Sequence, residues 1–311
     1  MQAASISLVD KLYQLFLSEK TKAKSEHIIT LIAIGSFLLH LLIILLCRIG
    51  VLDLQNYSAL LGNPIGAIYT PFSFILVYEV YLLIYNLPRS ITTYIGKQYE
   101  IMTLIVIRRV FKDLSHLELS SNWFGIKNDL QFTFDIIATV VLFTLIFIFM
   151  RLSKRNQQNL NNEQPTPALS RFLRFKKIVA LSLVPLLVIV GSYSFVNWTI
   201  ENFFTIQPLG ASLTNINNIF FDTFFTILIL VDVLLLLFSL RHTDQFHKVF
   251  RNSGFIISTI LIRLSFGVEG LINTLLIISS VVFGVLILAI YNLYETHQHK
   301  KLAENNQNNS K

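Results

Sequence analysis

Four charged residues stand inside long apolar stretches of the sequence, where charge is costly. Glu79 and Asp232 each lie eight residues before the end of an apolar block, and Arg108 and Arg263 lie within shorter apolar segments. In hydrocarbon an unpaired arginine costs about 2.5–3.5 kcal/mol on insertion scales, and its guanidinium does not lose its proton. We therefore expect two acid–arginine pairs, Glu79 with Arg108 and Asp232 with Arg263.

Such pairs could do one of two things. A bidentate contact between a carboxylate and a guanidinium satisfies both charges in a dry surrounding. It could line a polar pathway for ions or protons, or it could be a static contact that fixes how two helices align. Charges inside a membrane mark function often enough for the first hypothesis to be the default. Two near-equivalent pairs suit a structural device as well, so both remain open.

Other charged residues lie near the predicted ends of these segments. Asp135 and Asp222 fall in the first turns of their predicted helices, where a carboxylate suits the helix dipole. The structural interpretation is that these two carboxylates cap their helices. The functional interpretation is that they lie on a polar track, a pathway for ions or protons across the membrane. Arg109 and Lys112 are expected to extend their side chains to the outer membrane interface.

The composition indicates that these segments cross a membrane. Apolar residues make up 53% of the 311-residue chain, charged residues 14%, and the mean hydropathy is +0.61. A soluble domain carries about 25% charged residues. The apolar residues form blocks of about twenty, the length that crosses hydrocarbon as a helix. Six such blocks are found at 28–47, 66–87, 132–151, 178–197, 219–240 and 271–292.

Two shorter apolar segments, 98–113 and 253–266, contain the arginines and could either cross or lie in the interface. The distribution of Lys and Arg favours crossing, because it then places 19 of the 25 basic residues, including the basic 151–177 linker, on the inner side. The loop 198–218, which has no basic residue, then faces outward. We therefore predict eight spans with both termini in the cytoplasm.

The two halves of the sequence resemble each other. The segment from Phe72 aligns without gaps with the segment from Phe225, so that Glu79 matches Asp232. After loops that differ by two residues, Arg108 matches Arg263. A unit with an even number of spans repeats in parallel, about an axis along the membrane normal.

The predicted fold is therefore an all-α, polytopic transmembrane bundle of about eight spans, built as two parallel four-helix repeats. An N-terminal amphipathic helix precedes it, and could lie in the interface or dock on the bundle. Its apolar stripe contains Ile6, Val9, Leu12, Tyr13 and Phe16. The predicted boundaries are 1–27 for the N-terminal segment, 28–151 and 178–295 for the two units, 152–177 for a polar linker and 296–311 for a disordered tail.

Several classes of activity lack a signal. The sequence has no phosphate-binding glycine loop, no His-Glu-x-x-His and no Gly-x-Ser-x-Gly, so we do not expect an enzyme. Cys47 is the only cysteine, and His297 and His299 lack a third ligand, so no metal or cofactor is expected. The net charge of +7 sits in flanks of apolar blocks and does not indicate a nucleic-acid partner.

Two hypotheses follow. The first is a channel- or transporter-like protein with a polar track beside the charge pairs. The second is a non-catalytic membrane scaffold or partner-binding subunit. We expect the protein to lie in a lipid bilayer, most plainly a bacterial inner membrane. We expect it to bind a membrane-protein partner or a second copy of the chain.

Overall fold

The protein is built from helices throughout the part that can be described. The computed structural model describes residues 8–51, 64–114, 127–160, 167–204, 209–240, 246–268 and 270–309. Within these ranges the chain forms nine α-helices, a short 3₁₀ helix and no strand, which confirms the all-α prediction. The 3₁₀ helix is Pro64–Ile68, and the α-helices are α1 Leu8–Phe16, α2 Glu19–Ile49, α3 Tyr69–Asn86, α4 Ile91–Leu114, α5 Lys127–Leu160, α6 Pro167–Phe204, α7 Leu209–Leu240, α8 Phe246–Ser265 and α9 Leu271–Asn309.

Three helical stretches in the described part are long and apolar enough to cross a membrane. They are Leu8–Ile49, Asp129–Lys154 and Leu271–Gln298. Their outer faces are apolar: on α2, Leu38 is 59% exposed, and on α5, Phe143 is 71% exposed. A continuous apolar exterior of this kind suits contact with lipid rather than water.

Neighbouring helices pack in the same order in both halves of the chain. In the first half α2 packs on α3, α3 on α4, and α4 on α5. In the second half α6 packs on α7, α7 on α8, and α8 on α9. The halves meet where α5 contacts α9, α4 contacts α8, and α3 contacts α6. Helix α4 is thus enclosed by protein, which lets it carry polar groups.

Close packing of α9 against α4 and α8 depends on small residues. A Cβ built at Gly284 on α9 would overlap the hydroxyl of Tyr99 on α4 and lie 2.7 Å from its Cζ atom. A Cβ at Gly254 on α8 would lie 2.8 Å from two side-chain carbons of Ile287. Glycine at such positions lets helices approach closely, and in a membrane this van der Waals packing supplies much of the attraction between them.

The two short apolar segments of the sequence belong to longer helices. Helix α4 has 24 residues and α8 has 20, which corresponds to about 36 Å and 30 Å of length. The apolar runs 98–113 and 253–266 underestimate these helices because the first turns of α4 and α8 contain polar residues.

Helix also extends into regions expected to be irregular. Helix α9 continues to Asn309, through most of the tail predicted to be disordered. Helices α5 and α6 cover all of the predicted 152–177 linker except residues 161–166, which lie outside the described ranges. Polar composition alone does not prevent helix formation, because straight-chain polar residues such as Gln, Glu and Lys are good helix formers.

Helix α1 docks on the bundle. Asp10 pairs with Lys177 of α6 at 3.1 Å, and the Tyr81 hydroxyl donates to the Phe16 carbonyl at 2.9 Å. Leu8 and Leu15 share the outward face and are 73% and 62% exposed. The helix therefore makes protein contacts on one side and leaves an apolar face on the other.

Candidate functional site

Glu79 lies beside a lysine rather than an arginine. Its Oε2 atom is 3.2 Å from Nζ of Lys97, which also pairs with Glu100 at 2.7 Å. The side chains of Glu79 and Lys97 are 12% and 20% exposed. Among the described ion pairs, the predicted contact of Glu79 with Arg108 is not formed.

The register of the α3–α4 hairpin explains this difference. Glu79 lies seven residues before the end of α3, and Lys97 lies six residues after the start of α4. The two side chains therefore meet at the same depth in an antiparallel pair. Arg108 lies seventeen residues from the start of α4, about 26 Å along it. The prediction had this helix enter the membrane at residue 98, and so placed Arg108 too close to the cytoplasmic side.

Asp232 forms a hydrogen bond with a neutral amide instead of the predicted ion pair. Gln98 Nε2 donates to Asp232 Oδ2 at 3.1 Å, and the Thr259 hydroxyl donates to Gln98 Oε1 at 3.0 Å. The Arg263 guanidinium instead donates to the Thr226 hydroxyl at 2.7 Å. The described ion pairs therefore do not include Asp232 with Arg263. The cause is again register, since Arg263 also lies seventeen residues into its helix.

The Asp232 carboxylate is enclosed on every described side. Asp232 is 6% exposed, and Gln98 and Thr259 are each 1% exposed. The Tyr94 hydroxyl is buried beside the carboxylate. Lys176 of α6 exerts an electrostatic influence on Asp232 without pairing with it, and its ammonium donates to the Arg89 carbonyl at 2.8 Å. No cation of the described part lies within ion-pair distance of Asp232.

A second polar cluster joins α4, α5 and α9 toward their other ends. Arg109 binds Asp135 through two nitrogens, and its Nη2 atom lies 2.7 Å from Oδ1. The same guanidinium donates to Asn273 Oδ1 at 2.6 Å and to the Thr274 hydroxyl at 2.9 Å. Asp135 also accepts from Gln131 at 3.0 Å and from Thr274 at 2.8 Å, and its side chain is fully buried. We call these five residues the outer clamp.

The outer clamp bears on two predictions. The Arg109 guanidinium, for which an interface position was predicted, is bound by Asp135, Asn273 and Thr274. Asp135 is not in a first turn, because α5 begins at Lys127 and so places Asp135 in its third turn. The side chains of Lys112 and Asp222, for which interface and track positions were predicted, lie outside those the structure describes. Arg108 lies on the same helix and is 6% exposed.

A group of buried hydroxyls lies beside the Asp232 cluster, because Tyr99 and Ser258 are the chain neighbours of Gln98 and Thr259. The Tyr99 hydroxyl lies 2.7 Å from Ser258 Oγ, and Ser258 and Ser280 each donate to the other's carbonyl, at 2.8 and 2.7 Å. All three residues are completely buried. Polar contacts therefore run along the α4–α8–α9 interface. We call this row the polar seam; it comprises Asp232, Gln98, Thr259, Tyr99, Ser258, Ser280 and the outer clamp.

Most residues of the polar seam were missed from the sequence, although a signal was present. Small or polar residues recur seven positions apart in these helices, as in Ser258 and Ser265, or Asn273 and Ser280. Positions seven apart lie on one helical face. The apolar letters around them hid this stripe, because apolar content was used to find the spans.

The chemistry available in the described part is that of carboxylates and hydrogen bonds. It contains no group of three or more His, Cys, Asp or Glu side chains that could hold a metal ion. A carboxylate enclosed by an amide, a phenol and a distant ammonium can hold or release a proton. The chain matches no known family model, curated protein or solved structure, so its function is inferred from this geometry.

Proposed function

We propose that the protein is a multi-pass membrane transporter or channel in which Asp232 carries a proton that is moved or coupled to transport. The observation behind this proposal is a carboxylate that is 6% exposed, hydrogen-bonded to a neutral amide, and without an ion-pair partner among the described residues. Such an arrangement costs stability. It is expected where the protein uses the change in charge.

Polar groups able to pass a proton lie on both sides of Asp232 along the bundle. Lys176 lies between the carboxylate and the turn at Arg89, which belongs to the predicted cytoplasmic side. On the other side, the Tyr99 and Ser258 hydroxyls lie next to this site, and the outer clamp lies ten residues further along α4, at Arg109. Hydroxyl and amide groups at hydrogen-bond distance are the groups that line proton and ion pathways in membrane proteins.

The proposal includes eight crossings arranged as two parallel four-helix repeats. Three observations support it: α4 and α8 are long enough to cross, both halves have the same order of neighbours, and both Arg108 and Arg263 lie seventeen residues into their helices. The N and C termini would then share the cytoplasmic side, in a bacterial inner membrane or its equivalent.

Cysteine labelling tests the crossings. In a Cys47→Ala background, we expect Ser90→Cys and Lys154→Cys to react with a membrane-impermeant thiol reagent from the same side. Gly267→Cys should react from the other side. If α4 lay flat while α5 crossed, the cysteines at 90 and 154 would label from opposite sides, and the eight-span arrangement would be wrong.

Proton flux tests the role of Asp232. We expect proteoliposomes with an entrapped pH-sensitive dye to acidify when a potassium-valinomycin potential, negative inside, is imposed. Asp232→Asn should reduce this flux at least tenfold, because an amide of the same shape cannot carry the proton. The protein should still elute as a single folded species, since asparagine preserves the contact with Gln98. Thr144→Val is the matched control, because Thr144 faces outward and bonds only its own helix.

The alternative is a non-catalytic scaffold or partner-binding subunit. The hydrogen bonds and close packing of the polar seam favour it, because a static contact between halves would have the same appearance. A wild-type protein without flux, or an Asp232→Asn protein with unchanged flux, would reject the transport proposal. In the scaffold case, removing the charge should instead reduce recovery of a co-purified membrane partner or a second copy.

A further inference from the structure

Gln98 joins Asp232, which lies in the second half of the chain, to helix α4 in the first half. It lies on α4 in the first half of the chain, and both of its side-chain partners belong to the second half. Its NH₂ group donates to Asp232 on α7 at 3.1 Å, and its carbonyl accepts from Thr259 on α8 at 3.0 Å. At 1% exposure, it exchanges neither partner for water.

The two ends of this amide have different chemistry. The nitrogen can only donate and the oxygen can only accept, whereas an ionised carboxylate can only accept. The observed orientation therefore fits ionised Asp232. A protonated carboxyl gains a donor, which would be satisfied by the Gln98 oxygen after the amide rotates by half a turn.

The partner on the opposite side can accommodate that rotation. The Thr259 hydroxyl also donates to the carbonyl of Phe255 in its own helix at 3.0 Å. When the Gln98 nitrogen turns toward it, the Thr259 oxygen can accept while its own proton remains with Phe255. Both ends of the Gln98 amide and the Thr259 hydroxyl keep a partner in either state, as buried polar groups require.

We propose that Gln98 is a positioning residue that couples the protonation of Asp232 to the contact between the two halves, with one amide orientation for each protonation state. This inference rests on the proposed function, because it describes how the protonation of Asp232 would be regulated. The groups that face Asp232 from the packed helices are Tyr94 of α4 and Lys176 of α6, with Arg251 of α8 acting on Lys176. Tyr94 and Lys176 influence the proton affinity of Asp232. Gln98, in contrast, forms hydrogen bonds to both Asp232 and Thr259 of α8.

The test follows the Asp232 carboxyl directly by infrared difference spectroscopy on the full chain in detergent, without any flux measurement. The carboxylic acid carbonyl band of Asp232 is assigned by its loss in Asp232→Asn and is titrated with pH. We expect Gln98→Met, which keeps the length of the side chain but removes both the donor and the acceptor, to raise the titration midpoint. A hydrogen bond to the ionised carboxylate is stronger than one to the neutral carboxyl, so losing both should still favour the protonated form, by up to about tenfold in proton affinity, or about one pH unit.

Two further variants complete the test. Gln98→Asn is too short to reach both partners and should raise the midpoint in the same direction, which covers the case in which Gln98→Met does not fold. Thr103→Val removes another buried hydroxyl on α4 that bonds only the Tyr99 carbonyl, and should leave the midpoint unchanged.

The outcomes separate this inference from the proposed function. A midpoint that stays constant in both Gln98 variants overturns the coupling role, and so does a wild-type protein in which no Asp232 band titrates. A shifted midpoint in a protein that carries no proton flux supports the role of Gln98 and rejects transport.

Discussion

Replacing Asp135 with alanine is expected to lower the free energy of unfolding by about 3 kcal/mol. The change leaves the Arg109 guanidinium without its carboxylate inside the bundle, and breaking a buried pair from one side costs about 3–5 kcal/mol. We expect the lower end of that range, because the Arg109 side chain is 26% exposed and keeps its contacts with Asn273 and Thr274. Reversible unfolding in mixed detergent micelles, followed by circular dichroism, measures the loss.

A double variant tests the reason for that loss. Arg109→Leu combined with Asp135→Leu removes both charges, and replacing a buried pair with apolar residues is often neutral or stabilising. We expect most of the stability to return in this protein. Thr144→Ala on the same helix, at an outward-facing position, should change the unfolding free energy little. If Asp135→Ala is as stable as the wild type, the outer clamp is not a stabilising contact.

Alanine at Gly284 is expected to destabilise the protein by about 2 kcal/mol. Its Cβ would overlap the Tyr99 hydroxyl, so Tyr99 must move and lose its bond to Ser258. Overpacking of this kind costs about 1–3 kcal/mol. The higher helix propensity of alanine, worth about 1 kcal/mol, is not enough to offset both effects. The same unfolding assay measures the result.

Two variants show whether the close contact with Tyr99 is responsible. Gly35→Ala on α2 places its Cβ in open space, with no atom within 4 Å, and should cause no loss. Adding Tyr99→Phe to Gly284→Ala removes the nearest atom but leaves the ring carbon at 2.7 Å. We therefore expect partial recovery. Equal stability of the Gly284 and Gly35 variants would contradict the proposed contact.

These two sites lie on the interface to which transport is proposed. The Gly284 contact is made by Tyr99, the residue next to Gln98, whereas the outer clamp holds α4 at Arg109, eleven residues beyond Gln98 along the helix. The outer clamp and the titratable group, Asp232, are therefore separate along α4. A variant in one can be examined without removing the other.

The sequence by itself determined the helical class and where the apolar helices run. Blocks of about twenty apolar residues can satisfy their backbone groups in lipid only as helices, so α2, α5 and α9 could be located from composition. It also indicated which residues of the apolar segments are unusual, since Glu79, Asp232, Arg108 and Arg263 stand out among apolar neighbours. These inferences use properties of single residues and of segments.

Only the tertiary structure decided which charged and polar groups meet. Partners depend on the level at which two helices face each other, and an error of seven residues in the start of α4 moves a side chain by about 10 Å along the axis. That shift exchanged Arg108 for Lys97 beside Glu79, and the same register removed Arg263 from Asp232. Gln98 and Thr259 were not singled out beforehand, because a stripe of neutral polar residues does not indicate a carboxylate partner until packing places one next to it.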